Sequence, residues 1–339
     1  MQTVTPLVLS DSIVLSEVPI LGVDSLLPSN NDIAVAIDAE GAVVWFERAK
    51  DPLGTLLADT TSTPRVVRFG RRGDGPGELQ APWHVSLAAS GPVVFEPRGR
   101  RLVHYARSGA VLSDRLAGDV VGVRDTAVLV AEVSTMPTLF MLTSESRDRI
   151  SLTPQQDSLW RSISRRPFAS DKSAEPYAAT IVGDTVYLSM AISGELFRFI
   201  RGGVVAPFGV RVPPRLRTPV ELDTLIAQVS RPVRGPRGEA IRPALSPDYL
   251  ARARIQPIRQ TSPFTGLQVD GAGRLWRFRD SNEGPVADVY VGTVAHQRVL
   301  LPCAPLPRGA SIAGRWLLLA CADLREESER DSRPLRFRF

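Results

Sequence analysis

One stretch of ten residues combines glycines that can bind anions through the backbone with charged side chains. Residues 70–79 read GRRGDGPGEL, with four glycines, one proline and four charged residues. A glycine-rich loop can cradle a phosphate, because its N–H groups can turn toward a single anion. No Lys-Ser or Lys-Thr pair follows the glycines, and their spacing does not match a dinucleotide-binding pattern. Phosphate binding is therefore unsupported, and a structural turn is the favoured interpretation.

Three histidines, His84, His104 and His296, are the candidates for an imidazole base. A Ser-His-Asp hydrolase of the common kind places its serine in a Gly-X-Ser-X-Gly turn, and that pattern does not occur in the chain. His104 falls in a strand and His296 follows a turn, positions that favour packed or solvated side chains. His84 lies at the entrance to a strand and remains a candidate site residue.

Two cysteines, Cys303 and Cys321, fit no Cys-X-X-Cys metal or redox pattern. A hairpin centred on Gly314 would place Cys321 opposite Leu306 or Pro307 rather than opposite Cys303. A disulfide between the two cysteines therefore requires the chain before Pro305 to fold back. The sequence leaves both the bonded and the free state open.

The basic balance of the chain comes almost entirely from arginine. Lysine and arginine together number 41 against 36 acidic residues, for a formal net charge of +5, and lysine occurs only at Lys50 and Lys172. The segment 211–260 holds ten arginines but a single aromatic residue, Tyr249. Because nucleic-acid bases stack on aromatic rings, this composition argues against a nucleic-acid partner.

No segment has the length needed to span a membrane. The longest strictly apolar stretch, Trp316 to Ala322, has seven residues, whereas a spanning helix needs about 20. The first 16 residues, MQTVTPLVLSDSIVLS, show no basic region followed by a continuous apolar segment. The chain is therefore either cytoplasmic or a protein whose leader has been removed.

Short apolar runs, rather than helical periodicity, recur along the chain. Runs such as DIAVAI, PVVF, RLVHY and TVYLSM are four to six residues long and are separated by Gly, Asp, Asn or Ser. These lengths and separators are typical of β-strands joined by tight turns. The runs group into units of about 35 to 50 residues, which indicates a repeat architecture.

The units predict an all-β fold, a single six-bladed β-propeller over residues 1–339. The last unit lacks one strand, and Ile13 to Val18 is expected to supply it, so that an N-terminal strand closes the ring against the C-terminal blade. A partly helical insertion, 211–260, is expected between blades four and five, with helices from Thr218 and from Ser246 to Arg254. The predicted blades are Leu21 to Phe69, Trp83 to Leu116, Val120 to Leu152, Tyr177 to Val210, Phe264 to Leu301 and Pro307 to Phe339.

Residues 75–109, GPGELQAPWHVSLAASGPVVFEPRGRRLVHYARSG, resemble an NHL repeat. The resemblance is to six-bladed propellers of the NHL-like and TolB-like superfamily, and it implies that 70–79 cross from one blade to the next. In such a crossing, glycines allow positive φ and Pro76 stiffens the chain. Glu78 is expected to accept hydrogen bonds from N–H groups of the loop that no sheet satisfies.

The resemblance also implies two enzymatic alternatives at the propeller axis. Propellers of the gluconolactonase and paraoxonase type bind calcium through Glu, Asn and Asp, and this chain offers only Asn30, Asn31 and Asn282 as asparagines. Streptogramin-lyase-like propellers use a histidine beside a magnesium carboxylate, a role that only His84 fits. No cofactor is expected, with a divalent cation such as calcium as the alternative, and enzymatic activity stays open.

Non-catalytic binding of a protein or a polar small molecule is the predicted function, and RNA binding, known for some NHL propellers, is a further alternative. Binding is expected on the face of the disc that carries the crossing loops and the loops between second and third strands. The resemblance suggests an extracytoplasmic location, with the cytoplasm as the alternative. The candidate ligand-binding residues are Arg71, Arg72, Asp74, His84, Glu96, Arg98, Arg100, Arg101, Asp280 and Glu283.

Overall fold

The computed structural model of the chain consists of short strands arranged in small sheets. The element bounds below refer to the residues that the structure describes. These are 3–7, 11–12, 33–47, 51–58, 65–80, 82, 84–96, 101–116, 119–124, 127–132, 138–142, 147–150, 154, 177–182, 185–190, 194–200, 206–209, 211–212, 218–220, 223, 227, 233–234, 240–242, 265–321 and 335–339.

The first half of the chain begins with two N-terminal strands and continues with three four-stranded antiparallel sheets. The N-terminal strands are β1 (Thr3–Pro6) and β2 (Asp11–Ser12). The first sheet contains β3 (Ile33–Ile37), β4 (Val43–Glu47), β5 (Asp51–Ala58) and β6 (Arg65–Phe69). The second contains β7 (His84–Ala88), β8 (Gly91–Glu96), β9 (Arg101–Tyr105) and β10 (Val111–Leu116). The third contains β11 (Asp119–Arg124), β12 (Ala127–Glu132), β13 (Thr138–Leu142) and β14 (Arg147–Ile150).

The second half of the chain contains three larger antiparallel sheets and one short two-stranded sheet. One sheet contains β15 (Tyr177–Val182), β16 (Thr185–Met190), β17 (Leu196–Ile200) and β18 (Ala206–Pro207), and the short sheet contains β19 (Val233–Arg234) and β20 (Ala240–Arg242). The next contains β21 (Thr265–Val269), β22 (Leu275–Ser281), β23 (Gly284–Val291) and β24 (Val294–Leu300). The last contains β25 (Pro305–Ala313), β26 (Trp316–Cys321) and β27 (Leu335–Arg338).

The first strands of the larger sheets form a ring. They contact one another in the closed order β3, β7, β11, β15, β21, β25 and back to β3. Each sheet continues outward from this ring through antiparallel neighbours, which is the architecture of a β-propeller. The prediction of an all-β propeller is therefore confirmed.

Two sheets contain strands that the sequence did not assign to them. Five of the sheets have four strands, whereas the β21–β24 sheet has a fifth strand, β1, which pairs in parallel with the outer edge of β24. The outer strand of the last sheet is β2, which pairs antiparallel with β27 through Asp11 opposite Arg336 and Ser12 opposite Leu335. The predicted closing strand Ile13 to Val18 lies outside the described residues.

The predicted insertion, 211–260, contains strands where it is described. Its elements are β19 and β20, and no helical element is found in its described part. Pro219, Val220, Asp223 and Ala227 have helical backbone after Thr218. The predicted second helix, Ser246 to Arg254, lies outside the described residues. The described part of the insertion therefore has helical backbone where the first helix was predicted, without a delimited helix, and it contains a small two-stranded sheet that was not predicted.

Apolar side chains fill the spaces between neighbouring sheets. The cluster between the β21–β24 sheet and the last sheet includes Trp276, Phe278, Leu317 and Leu319, each at most 2% exposed. Because side chains alternate along a strand, Leu275 and Tyr290 face the other way and pack with residues of the β15–β18 sheet. Both faces of a sheet are therefore buried, which explains the short apolar runs. No helix in the described part of the chain is long and apolar enough to cross a membrane.

Cys303 is disulfide-bonded, and the sequence contains one other cysteine, Cys321. The hairpin of β25 and β26 pairs Pro305 with Cys321, because the register shifts between Pro305 and Ala310. This irregularity corrects the regular register expected from the sequence, in which Cys321 faced Leu306 or Pro307. It brings the chain around Cys303 back toward the end of β26.

Candidate functional site

The crossing loop, residues 70–80, is held by hydrogen bonds within itself. Glu78 Oε2 accepts from Gly75 N at 2.8 Å, and Glu78 Oε1 lies 2.6 Å from Arg71 Nε. The hydrogen bond from Gly75, followed by the neighbouring Arg71, lowers the pKa of Glu78 below its usual value. The prediction that Glu78 accepts hydrogen bonds from the loop N–H groups is confirmed.

The β7–β10 sheet also holds the crossing loop through hydrogen bonds. Arg101 Nη2 donates to Gly75 O at 2.8 Å, and Gly77 N donates to Asp114 Oδ2 at 2.9 Å. Arg101 and Asp114 also form an ion pair, which raises the pKa of Arg101 and lowers that of Asp114. The buried Tyr105 hydroxyl donates to Gly77 O at 2.7 Å. The loop is therefore fixed to a rigid sheet at several points.

Each glycine of the loop has a physical reason to be glycine. Gly70 and Gly77 have positive φ values of 76° and 72°, a region that residues with a side chain rarely occupy. A Cβ on Gly73 would lie 1.8 Å from Glu78 Oε2, and one on Gly75 would lie 3.0 Å from the same atom. The glycines thus serve the turn and the Glu78 carboxylate, as the structural interpretation predicted.

The charged side chains of this region divide into internal and external groups. Glu96 is 1% exposed at the end of β8 and lies opposite Arg101, which is half-buried. Arg72 and Asp74 are exposed on either side of Gly73, and Asp74 Oδ1 accepts from Gln80 Nε2. Arg71 is exposed as well, with 78% of its side chain accessible, but it is paired with Glu78. The loop therefore presents Arg72 and Asp74 to solvent beside this paired arginine.

The other predicted site residues lie elsewhere or outside the described residues. Asp280 and Glu283 occupy the β22–β23 hairpin, where Asp280 Oδ1 accepts from Ser281 N at 3.0 Å and Glu283 is exposed. The ring order separates this hairpin from the crossing loop by two sheets in either direction, so the structure does not bring the two groups side by side. Arg98, Arg100 and the side chain of His84 lie outside the described residues.

His104 forms a polar contact that the sequence did not indicate. Its Nε2 lies 2.9 Å from the Oγ of Ser90, an exposed residue in the β7–β8 turn. In the neighbouring β3–β6 sheet, the buried carboxylate of Asp38 forms an ion pair with Arg107. The contact joins a turn residue to a strand residue fourteen positions later, and no local sequence motif predicts it.

Two buried aspartates, Asp38 and Asp270, hold equivalent turns between first and second strands. Asp270 Oδ1 accepts from Ala272 N and Arg274 N, each at 2.9 Å, and Asp270 Oδ2 accepts from Arg274 Nε at 2.6 Å and from Trp276 Nε1 at 2.9 Å. Asp38 Oδ1 accepts from two N–H groups of its own turn in the same way. These acids are therefore structural. Among the described residues, no group of three His, Cys, Asp or Glu is placed to hold a metal ion.

No known protein family matches the sequence, and no curated protein is similar to it. Several solved structures are similar to the chain. One is regucalcin, a calcium-binding protein from Agrobacterium tumefaciens, with 11% identity over 99% of this chain and 95% of that chain and a TM-score of 0.47. Another is a catalytically inactive virginiamycin B lyase from Staphylococcus aureus with quinupristin, with 11% identity over 87% of this chain and 94% of that chain and a TM-score of 0.42. A third is a member of the DUF4221 family from Bacteroides vulgatus, with 8% identity over 91% of each chain and a TM-score of 0.49. At these identities the likeness concerns the fold alone.

Proposed function

We propose that the chain is a binding propeller that recognises a polar ligand or a protein partner through its crossing loop. The observation that supports this proposal is the bonded frame around Glu78, Arg101 and Asp114, which leaves Arg72 and Asp74 facing solvent. A loop that is ordered before binding loses little conformational entropy when a partner arrives. Because Arg72 and Asp74 have opposite charge, the partner is expected to present both a donor and an acceptor.

The double variant Arg72→Ala, Asp74→Asn tests this proposal. We expect the affinity for a partner isolated with the parent protein to fall at least about tenfold, the equivalent of about 1.4 kcal/mol. The free energy of unfolding should change by less than about 0.5 kcal/mol, since both side chains are exposed. Affinity is measured by calorimetry and stability by urea unfolding.

Arg315→Ala is the matched control, because Arg315 is also exposed but lies in the β25–β26 turn. It should leave the affinity unchanged. If the double variant binds as tightly as the parent, the site lies elsewhere, and the segment 211–260 becomes the next candidate. Binding that weakens steeply with added salt would favour a nucleic acid, which we do not expect.

We further propose that binding needs no metal cofactor. The sequence offers only three asparagines, Asn30, Asn31 and Asn282, for an axial calcium site of the kind that uses Glu, Asn and Asp. Calorimetric titration of the full chain with calcium, magnesium and zinc in turn should show no binding tighter than about 1 mM. A tighter metal site would instead support the hydrolase or lyase alternative, in which His84 is the candidate base.

An extracytoplasmic location is proposed from the disulfide at Cys303. Structural disulfides persist in oxidising compartments and are rare in the cytoplasm. Thiol quantification on protein purified from its native cells should find no free thiol, whereas a cytoplasmic protein would show two.

Replacing Cys303 by alanine should lower the free energy of unfolding by about 3 kcal/mol in chemical unfolding, the size expected for a disulfide that closes the loop between the two cysteines. If reduction of the parent leaves its unfolding midpoint unchanged, the disulfide is not structural and the argument for location fails.

A further inference from the structure

Four charged residues, Arg277, Arg279, Asp288 and Arg298, form a charged column on the β21–β24 sheet. The column lies on the face that packs against the β15–β18 sheet. In the strand register, Arg277 lies opposite Leu267 on one side and opposite Asp288 on the other. Asp288 in turn lies opposite Arg298. Residues directly opposite one another in a sheet share a face. Leu267 packs with Ala178 and other residues of the β15–β18 sheet, which identifies the face as the one between these two sheets.

The single buried carboxylate of this column is already bonded to two arginines. Asp288 Oδ2 accepts from Arg279 Nε at 2.6 Å, and Asp288 Oδ1 accepts from Arg298 Nε at 2.9 Å. Both oxygens of Asp288 therefore have a guanidinium partner, and the third arginine of the column, Arg277, is left without an acid of its own.

Arg277 is 2% exposed and lacks acceptors for part of its guanidinium group. Its Nη2 donates to Gly194 O at 3.1 Å, but Nε and Nη1 have no hydrogen-bond partner. Burial lowers the pKa of Arg277, while the charge of the neighbouring Tyr290 and a side-chain hydrogen bond with it oppose that effect. A buried cation with unmet donors is costly, because burial removes its water without supplying a replacement.

A second polar group without a hydrogen-bond partner lies on the opposite wall of this interface. Ser189, on β16, lies opposite both Ala178 and Leu196, and these two residues pack against the β21–β24 sheet. The Oγ of Ser189 is buried and has no hydrogen-bond partner. Unmet donors are thus found on both walls of one interface.

We propose that the interface between the β15–β18 and β21–β24 sheets binds a small oxyanion, such as the carboxylate of a ligand. Arg277 donates to the anion through its N–H groups, and Ser189 donates its hydroxyl. Hydrogen bonds from guanidinium to oxyanions are among the stronger ones in proteins. The anion adds negative charge where three arginines face one buried carboxylate, whose two oxygens already accept from Arg279 and Arg298.

The column also indicates the direction from which the anion enters. Side-chain exposure falls from 60% at Glu283 to 23% at Arg298 and 13% at Arg279, and it reaches 2% at Asp288. The exposed end is the β22–β23 hairpin, so the arginines lead from solvent to the buried guanidinium. This site is separate from the crossing loop and does not depend on the function proposed for it.

Thermal unfolding and calorimetry with sodium formate, sodium acetate and sodium phosphate, each against sodium chloride at equal ionic strength, test the proposal. At a tenfold excess of anion over its Kd, the parent should gain about 3 °C in Tm relative to chloride. Formate and acetate acting without phosphate would identify a carboxylate site, and all three acting alike would identify a general oxyanion site.

The variants Ser189→Ala and Arg277→Gln distinguish a ligand site from a packing defect. Ser189→Ala should fold normally in chloride, because the removed hydroxyl has no partner there, and it should weaken acetate binding about tenfold. Arg277→Gln should abolish the acetate effect, and the exposed control Arg315→Gln should retain it. Equal Tm values in acetate and chloride for the parent, or an undiminished acetate effect in Ser189→Ala, would overturn the proposal in favour of a buried water alone.

Discussion

Removing residues 1–18 is expected to abolish the single unfolding transition of the whole propeller. The deletion takes away β2, the outer strand of the last sheet, and β1, the outer strand of the β21–β24 sheet. It also removes Leu7, which packs against the core between these two sheets. With about 1 kcal/mol for each strand hydrogen bond and about 2 kcal/mol for the leucine, the loss is about 5 kcal/mol or more. That is a large part of the stability of an ordinary domain.

The measurement is differential scanning calorimetry of the parent and the deletion variant, followed by limited proteolysis. A variant that lacks only residues 1–2 keeps both strands and should melt like the parent. The interpretation of residues 1–339 as one closed domain predicts a lower or absent transition for the whole chain. An intact transition after the longer deletion would contradict it, and so would two separate transitions in the parent.

Asp270→Ala is expected to have the second largest effect, a loss of about 4 kcal/mol. The carboxylate accepts four hydrogen bonds, two from the backbone of its own turn and two from the side chains of Arg274 and Trp276. Hydrogen bonds to a charged group contribute about 1.5 to 3 kcal/mol each. The net loss is smaller than the sum of four such bonds, because the alanine also removes the cost of burying the carboxylate. The Trp276 ring is 2% exposed, so water cannot replace the lost acceptor.

Urea unfolding measures this effect, and Asp280→Ala is the control. Asp280 lies in the next turn of the same sheet and is half-buried, so its replacement should cost less than about 1 kcal/mol. Asp270→Asn should fall between the two, because the amide keeps one acceptor oxygen and turns a donor toward donors. A loss in Asp270→Ala no greater than that in Asp280→Ala would show that the turn does not depend on its acid.

Local sequence patterns were sufficient to predict the strands and the crossing loop. Asp270 and Gly273 mark a turn whose acid bonds the residues that follow, and the apolar run after it forms β22. Glu78 was predicted to serve the loop because it lies among glycines whose N–H groups have no strand partner, and its bond to Gly75 is local. Interactions over a few residues leave such signatures in sequence.

Contacts between distant segments could not be predicted in the same way. Thr3 pairs with Gln297, and nothing in either short segment identifies the other. The position of Cys303 depends on a register shift between Pro305 and Ala310, which the regular alternation of the hairpin does not reveal. The surroundings of Arg277 could not be predicted either, because the neighbouring sheet supplies them through Gly194 and Ser189, about eighty residues away in the chain.

The pairing of β1 with β24 and of β2 with β27 also constrains the order of events during synthesis. A ribosome releases β1 and β2 first, yet their partners, residues 297–300 and 335–336, are made last. The earliest segment must therefore remain unpaired while the intervening sheets assemble, and contacts of such large sequence separation form slowly. During that interval the unpaired segments β1 and β2 are open to strands of other chains. A chaperone that covers β1 and β2 until their partners are made should consequently increase the yield of monomer more than any change within the ring.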